Sequence, residues 1–322
     1  MMATGRDPLP SSIRERICDV SFELTWHGAP ISDATVVIGI FDGVHSGHQL
    51  IIKKALAKAA PVVALTFQPH PLEILNPDQA PTELLSLNDR IQELIHQGVT
   101  SVAVITFTKE FAAMSPESFI TEVLVERLHA SAVVVGSNFR YGAKAAGDIQ
   151  LLERIGSFEV NALDLASELG DAVSSTRIRS AIVGGNIEIA WELLTRPHQL
   201  VGPVVHGEKR GRKIGYPTAN IQVSERATVP SDGVYAGWLS VGTHRWPAAI
   251  SIGTNPTFAG MRSRQVEAYA LDQENLDLYD QVAKVEFGWR LRDTIKFSGL
   301  DPLLAQMKID CDKARELTQS HA

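Results

Sequence analysis

Two histidines three positions apart, His45 and His48, stand in the stretch GIFDGVHSGH (39–48). It follows a β-branched apolar run, Val36 to Ile38, and precedes an amphipathic run, LIIKKALAKAA, so it reads as strand, glycine-rich turn, helix. Gly39 breaks the strand, and Phe41, Asp42 and Gly43 make the turn. The first turn of a helix offers unpaired N–H groups and a positive dipole end, which favour phosphate. Residues at i and i+3 share a helix face, so two imidazoles there can donate to one phosphate group. Charge that develops during phosphoryl or nucleotidyl transfer can be met by such donors, each worth about 3 kcal/mol when well aimed. The bland alternatives are a structural pair or half a metal site, and no cysteine or third histidine completes a metal set at a recognisable spacing. Walker A and GxGxxG patterns are both absent.

Other residue groups suit the same chemistry. Ser174, Ser175 and Thr176 precede Arg177 and Arg179 at a second helix start. They can simply cap that helix, or hydroxyls and Arg179 can together clamp an oxyanion, with Arg177 pointing elsewhere. Asn138 and Phe139 follow another apolar run. Phe139 can plug the domain edge, or stack on a flat ring whose polar edge Asn138 reads. His70, between Pro69 and Pro71, is rigidly placed, and structure and function are equally open to it. Further on, Gly207, Lys209, Arg210 and Gly211 form a basic, glycine-spaced loop suited to polyphosphate, unless it is an ordinary solvated turn. Tyr216 and Pro217 lead into Thr218 and Asn220, which face the same way if the segment is extended. A hydroxyl and an amide oxygen are hard ligands suited to Mg²⁺ beside phosphate oxygens. Glu267, in the alternating run RQVEAYAL, is either a solvent-facing carboxylate or a general base.

The elements that must carry these residues fall into two patterns. From Thr35, strands alternate with helices: VVALTF (62–67), SVAVITF (101–107), AVVVG (132–136) and FEVNAL (158–163) are the strands. Asn88 is expected to cap the helix DRIQELIHQ, and Ser115-Pro116 to open ESFITEVLVERLH. This alternation predicts a Rossmann-like, doubly wound parallel sheet with ligands beyond the carboxyl ends of its strands. Short helices are predicted over 174–183 and 187–194. From Leu200 the strands come without helices between them, which predicts an antiparallel barrel or sandwich. A last helix, capped by Asp301 and started by Pro302, closes the pattern. The expected divisions are 1–34, a leader with a candidate edge strand in SFELTW, then 35–185 and 186–322.

With 322 residues, 44% of them hydrophobic, and a net charge of −7, the chain has the composition of an ordinary globular protein and no basic footprint for nucleic acid. No apolar run approaches the roughly 18 residues of a membrane span, and the first residues lack the apolar core of a signal peptide. Cys18 and Cys311 form neither a disulfide framework nor a metal spacing. A cytoplasmic protein is expected.

Over about residues 35–317 the chain resembles the bacterial bifunctional riboflavin kinase/FAD synthetase family. GIFDGVHSGH, TFQPHP, GSNFRYG and VSSTRIR resemble its nucleotidyltransferase motifs in order. GEKRGRKIGYPTAN, DGVYAG, SIGTNPTF and the VEAY–DLY–KF region resemble its riboflavin kinase module. The resemblance implies an antiparallel barrel kinase that transfers the γ-phosphate of ATP to riboflavin, giving FMN. It implies a preceding domain that joins AMP to FMN, giving FAD and pyrophosphate. By resemblance Thr218 and Asn220 hold Mg²⁺, Glu267 accepts the hydroxyl proton, and His45, His48 and Arg179 serve adenylyl transfer. ATP or flavin contacts are implied for Gly39, Phe41, Asp42, Gly43, His70, Asn138, Phe139 and Ser174 to Thr176, and for Gly207, Lys209, Arg210, Gly211, Tyr216 and Pro217. One departure is Asp280, where the family has glycine beside its flavin site; it puts a charge and a side chain at a turn. The competing readings are an enzyme with one active module, and a non-catalytic flavin-binding regulator.

Overall fold

The computed structural model describes residues 22–164, 173–207, 214–254, 264–273 and 276–320. Contacts divide the chain into two compact units: Met1–Pro81 with Leu87–Val173, and Thr82–Ser86 with Ser174–Ala322. The leader before residue 22, the loop residues Lys209, Arg210 and Gly211, and the second half of SIGTNPTF (255–258) lie outside the described residues.

In the first unit a six-stranded sheet runs in the order β1-β4-β3-β2-β5-β6. Its strands are β1 (Leu24–His27), β2 (Ala34–Ile38), β3 (Val62–Gln68), β4 (Ser101–Thr106), β5 (Ala130–Gly136) and β6 (Glu159–Leu163). From β2 onward every pairing is parallel; β1, the expected edge strand, pairs antiparallel with β4. All five positions of β2 are buried. Alternate side chains of a strand face opposite ways, so both faces of the sheet are covered, as a parallel sheet requires. One face packs on Phe111, Met114, Ile120, Val123 and Leu124. Numbered as parallel strands alone, β2 to β6 stand in the order 3-2-1-4-5, which reverses direction between β2 and β5. That is the switch point where doubly wound sheets bind ligands.

Helix α1 (Ser46–Leu56) follows β2, and α2 (Leu87–His96) precedes β4. Helix α2 starts one residue before Asn88, so Asn88 lies in its first turn instead of capping it. The Ser115-Pro116 start holds, with Ser115 Oγ accepting from Ser118 N at 3.0 Å. Beyond Ser118 the helix is wider than expected: Phe119–Arg127 is π-helical, and Phe119, Ile120, Thr121, Val123 and Leu124 are all buried. A 3.6-residue period spreads such a cluster round the helix, whereas a wider turn keeps more of it on the core side.

The second unit is a closed barrel ordered β10-β11-β8-β7-β12-β9, antiparallel throughout. Its strands are β7 (His198–Val205), β8 (Ala219–Ile221), β9 (Gly233–Val241), β10 (His244–Thr254), β11 (Arg264–Ala270) and β12 (Val282–Arg292). Closure decides for the barrel over the sandwich. Two short helices precede it, α3 (Ser175–Val183) and α4 (Ile187–Leu194). The last helix, α5 (Leu300–Gln319), is capped by Gly299; Asp301 sits inside the first turn, where its charge still suits the dipole. Arg292 of β12 grips Asp310 of α5 through Nε and Nη2, the shortest contact being 2.7 Å, which ties α5 to the barrel. The segment Thr82–Ser86 is built into this unit: Glu83 N donates to Arg226 O at 2.7 Å, and Thr228 N to Glu83 O at 2.8 Å.

Candidate active sites

The loop after β2 carries the histidine pair. Gly39 N still donates to Leu65 O at 3.1 Å, so β3 holds the chain to the end of the strand. The chain then turns sharply. Phe41, Gly43 and Val44 have φ of +53°, +83° and +40°, and Val44 N donates back to Phe41 O at 3.0 Å. Only Gly43 takes this region without cost; Phe41 and Val44 are held there against their preference, as happens where surroundings over-determine a functional turn. Phe41 and Asp42 are buried. The turn makes His45 the N-cap of α1, with its side chain left out of capping.

The rings of His45 and His48 stack, with centroids 3.7 Å apart and planes 18° from parallel. Phe41 meets the His48 ring edge-on at 5.2 Å. His45 is 5% exposed and His48 is half-buried, and Nδ1 of His48 has no hydrogen-bond partner among the described residues. That Nδ1 is also enclosed, so Nε2 is the atom His48 has left to offer a ligand. Burial, then the neighbouring His45 and Arg90, hold the His48 pKa well below the usual 6.5. At neutral pH it is an uncharged donor whose basicity a bound polyphosphate would raise. Among the described residues no group of three or more His, Cys, Asp or Glu side chains is placed to hold a metal.

The other expected residues take the following places, each within its own unit. Asn138 is exposed just past β5, across the switch point from the histidine turn. Phe139 packs into the core and stacks on Tyr141 at 5.4 Å, the edge-plug arrangement. His70 caps the short helix Pro71–Leu75: its Nδ1 accepts from Leu72 N at 3.1 Å, and its N–H donates to Glu73 at 3.0 Å. Ser174 caps α3 through Arg177 N at 3.2 Å. Arg179, in the second unit, donates from Nε to Thr82 O at 2.6 Å. Sequence reasoning missed Arg90, a buried arginine of α2 that reaches the histidine turn and carries no motif.

In the barrel, Ala219, Ile221, Val266, Ala268 and Ala270 are buried, so the alternate residues Thr218, Asn220 and Glu267 lie on the outer face of the wall. Register sets Glu267 directly across from Asn220. Thr218 Oγ1 donates to Glu267 Oε2 at 3.1 Å. Two cavities meet here. One holds Gly207, Pro217, Asn220 and Tyr279; the other, of about 300 Å³, holds Glu267, Tyr269, Arg292, Met307 and Cys311. Thr218 lines both. The larger cavity lies between barrel and α5, at the lower end of the size of small-molecule sites. Gly207 approaches Asn220 so closely that a Cβ there would lie 2.4 Å from Nδ2. Tyr216 lines neither cavity; it meets Tyr269 edge-on at 5.3 Å and packs under α5.

Asp280 has φ of +62°, which is why glycine suits that turn. Its neighbours Leu278 and Tyr279 line the cavity of Gly207 and Asn220, not the one of Glu267.

Residues 29–177 match the FAD synthetase family and residues 194–318 the riboflavin kinase family. The chain is 37% identical over 296 residues to a bifunctional riboflavin kinase/FMN adenylyltransferase of Escherichia coli (strain K12), covering 89% of this chain and 94% of that protein. It is 38% identical over 282 residues to the protein of that name from Listeria monocytogenes, covering 85% and 89%. A crystal structure described as a macrolide-efflux protein from Streptococcus pneumoniae shares the fold at a TM-score of 0.80 and 33% identity, over 89% of this chain and 95% of that one. No helix among the described residues is long and apolar enough to cross a membrane.

Proposed function

The chain belongs to the bifunctional riboflavin kinase/FMN adenylyltransferase family, and from that membership we propose how its own side chains divide the two reactions. The enzyme phosphorylates riboflavin with ATP, giving FMN, and transfers AMP from ATP to FMN, giving FAD and pyrophosphate. In this reading residues 186–322 carry the kinase and 35–185 the adenylyltransferase.

For the kinase, the nucleotide enters the cavity of Gly207 and Asn220, and the flavin ring enters the larger cavity under α5. The observation that carries this is the Thr218–Glu267 hydrogen bond, placed where the two cavities share a wall. Glu267 accepts the proton of the ribityl 5′-hydroxyl. That oxygen then forms its bond to the γ-phosphorus while the β–γ bridging bond breaks and ADP leaves. Because Thr218 spends its proton on Glu267, its oxygen keeps lone pairs for a cation or a donor. A hydroxyl and an amide oxygen on one strand face fit Mg²⁺ shared with phosphate oxygens, so Thr218 and Asn220 would hold it. Bound there, Mg²⁺ would supply charge neutralisation on the phosphates.

For adenylyl transfer, a phosphate oxygen of FMN attacks the α-phosphorus of ATP and pyrophosphate leaves, with no protein nucleophile. His45 and His48 donate to oxygens where charge gathers. Arg179 and Asn138 serve phosphate and ring placement. A cytoplasmic location belongs to the same proposal.

The test is a time course with riboflavin, ATP and Mg²⁺, resolving the three flavins by chromatography. FMN first and FAD after it support the reading. FMN alone defeats the adenylyltransferase half. If FAD forms only from supplied FMN, the kinase half fails.

A further inference from the structure

Beneath the histidine turn lies a buried cation. Arg90 of α2 is 3% exposed. Its Nη1 donates to Ile40 O at 2.7 Å, and its Nη2 to Gln68 Oε1 at 2.7 Å. Nη1 also reaches Thr66 Oγ1 at 3.4 Å and Phe67 O at 3.5 Å. Thr66 Oγ1 itself donates to Ile40 O at 3.0 Å, so that carbonyl is held by two donors. The planar fork of one guanidinium thus ties the carboxyl end of β3 to the chain leaving β2, a junction lysine's single ammonium cannot reproduce.

The carbonyl of Ile40 belongs to the peptide that enters Phe41, whose φ is +53°. Peptide planarity means that fixing this carbonyl fixes the N–H of Phe41 and the direction from which the turn starts. Phe41 packs on His48, and His48 stacks on His45. A chain of contacts therefore runs from Arg90 through the Ile40 carbonyl and Phe41 to both imidazoles.

We propose that Arg90 is a positioning residue for adenylyl transfer: its grip on the Ile40 carbonyl sets the turn that registers His45 and His48 for the transition state. This rests on the reading that those histidines serve that reaction. Arg90 touches no reacting atom in the proposal. Its effect is therefore on kcat and not on substrate capture, since the ring positions matter most when charge develops.

Arg90→Gln and Arg90→Lys are assayed from supplied FMN and ATP, with His45→Ala in parallel and riboflavin phosphorylation by each protein as reference. In Arg90→Gln, kcat for FAD formation is expected to fall about a hundredfold, the scale of a displacement near 1 Å. KM for FMN and ATP stays within about threefold, and kinase turnover is unchanged. Arg90→Lys, which keeps the charge and loses the fork, recovers little of the loss. Wild-type kcat in Arg90→Gln overturns the proposal, and so does a loss expressed wholly in KM. Where Arg90→Gln loses the melting transition of the first unit, Arg90→Lys decides: a folded protein with full rate overturns it. If His45→Ala keeps full FAD synthesis, the reading of the site fails instead, whatever Arg90 does.

Discussion

Replacing Gly207 with alanine adds one methyl group and tests the kinase site sharply. The new Cβ would lie 2.4 Å from Nδ2, 2.7 Å from Cγ and 2.8 Å from Oδ1 of Asn220, where ordinary contact begins near 3.4 Å. The amide must retreat by about 1 Å, the difference between those distances. What it clashes with is the movable end of a side chain, so folding loses little, on the order of 1 kcal/mol or less. The site loses more. A displacement of about 1 Å in a positioning group costs roughly a hundredfold in rate, or about 2.7 kcal/mol of transition-state stabilisation. The assay is kcat/KM for riboflavin phosphorylation, with FAD formation from supplied FMN as internal reference. The second reaction should proceed at the wild-type rate. In an Asn220→Ala background the Gly207→Ala change should add almost nothing, because its target is gone. A kinase within about threefold of wild type, or full additivity of the two changes, would mean that the approach of Gly207 does not position Asn220 for phosphoryl transfer.

Three further outcomes follow from the second unit. Asp280→Gly relieves an aspartate at φ of +62° but adds freedom to the unfolded chain; these oppose, so stability should change by less than about 1 kcal/mol. Removing its charge beside Tyr279 should lower the kinase KM for ATP at low ionic strength, with the gain shrinking in high salt; steady-state kinetics at two salt concentrations decide it. His198 is buried, its Nε2 at 2.8 Å from Thr228 O, and burial pushes its pKa down to about 4. The unfolded chain holds that proton up to about pH 6.5, so the stabilisation is complete above 6.5 and is lost as pH falls toward 4, by up to about 3 kcal/mol. Chemical denaturation between pH 7.5 and 4.5 should show this slope in the wild type, and His198→Gln should flatten it.

What the sequence revealed depended on the length over which each residue's constraint is expressed. The histidine turn was readable because strand, glycine break, imidazoles and helix start are contiguous. Thr218, Asn220 and Glu267 were readable because period-two alternation fixes which side chains share a face, although their pairing across β8 and β11 emerges only in the register. Arg90 left no mark: in sequence it is a charge in an amphipathic helix, and only the folded sheet brings it under the Ile40 carbonyl. The same limit hid the π-helical turn at Phe119–Arg127, where a tertiary core overrode the ordinary helical period. Asn88 and Asp301 are good cap residues by type, yet each helix begins one residue before them. The side-chain preference is local, and the boundary is set by which residues the sheet or barrel must bury.

In the proposed division of labour, one site at the stacked histidines and one at Thr218 and Glu267 perform successive reactions. The direct test crosses His45→Ala with Glu267→Gln and follows flavins by chromatography in riboflavin, ATP and Mg²⁺. His45→Ala should accumulate FMN and make no FAD. Glu267→Gln should leave riboflavin untouched, yet convert supplied FMN to FAD at the wild-type rate. Either variant keeping its own reaction near the wild-type rate, or losing the other one, would contradict the account.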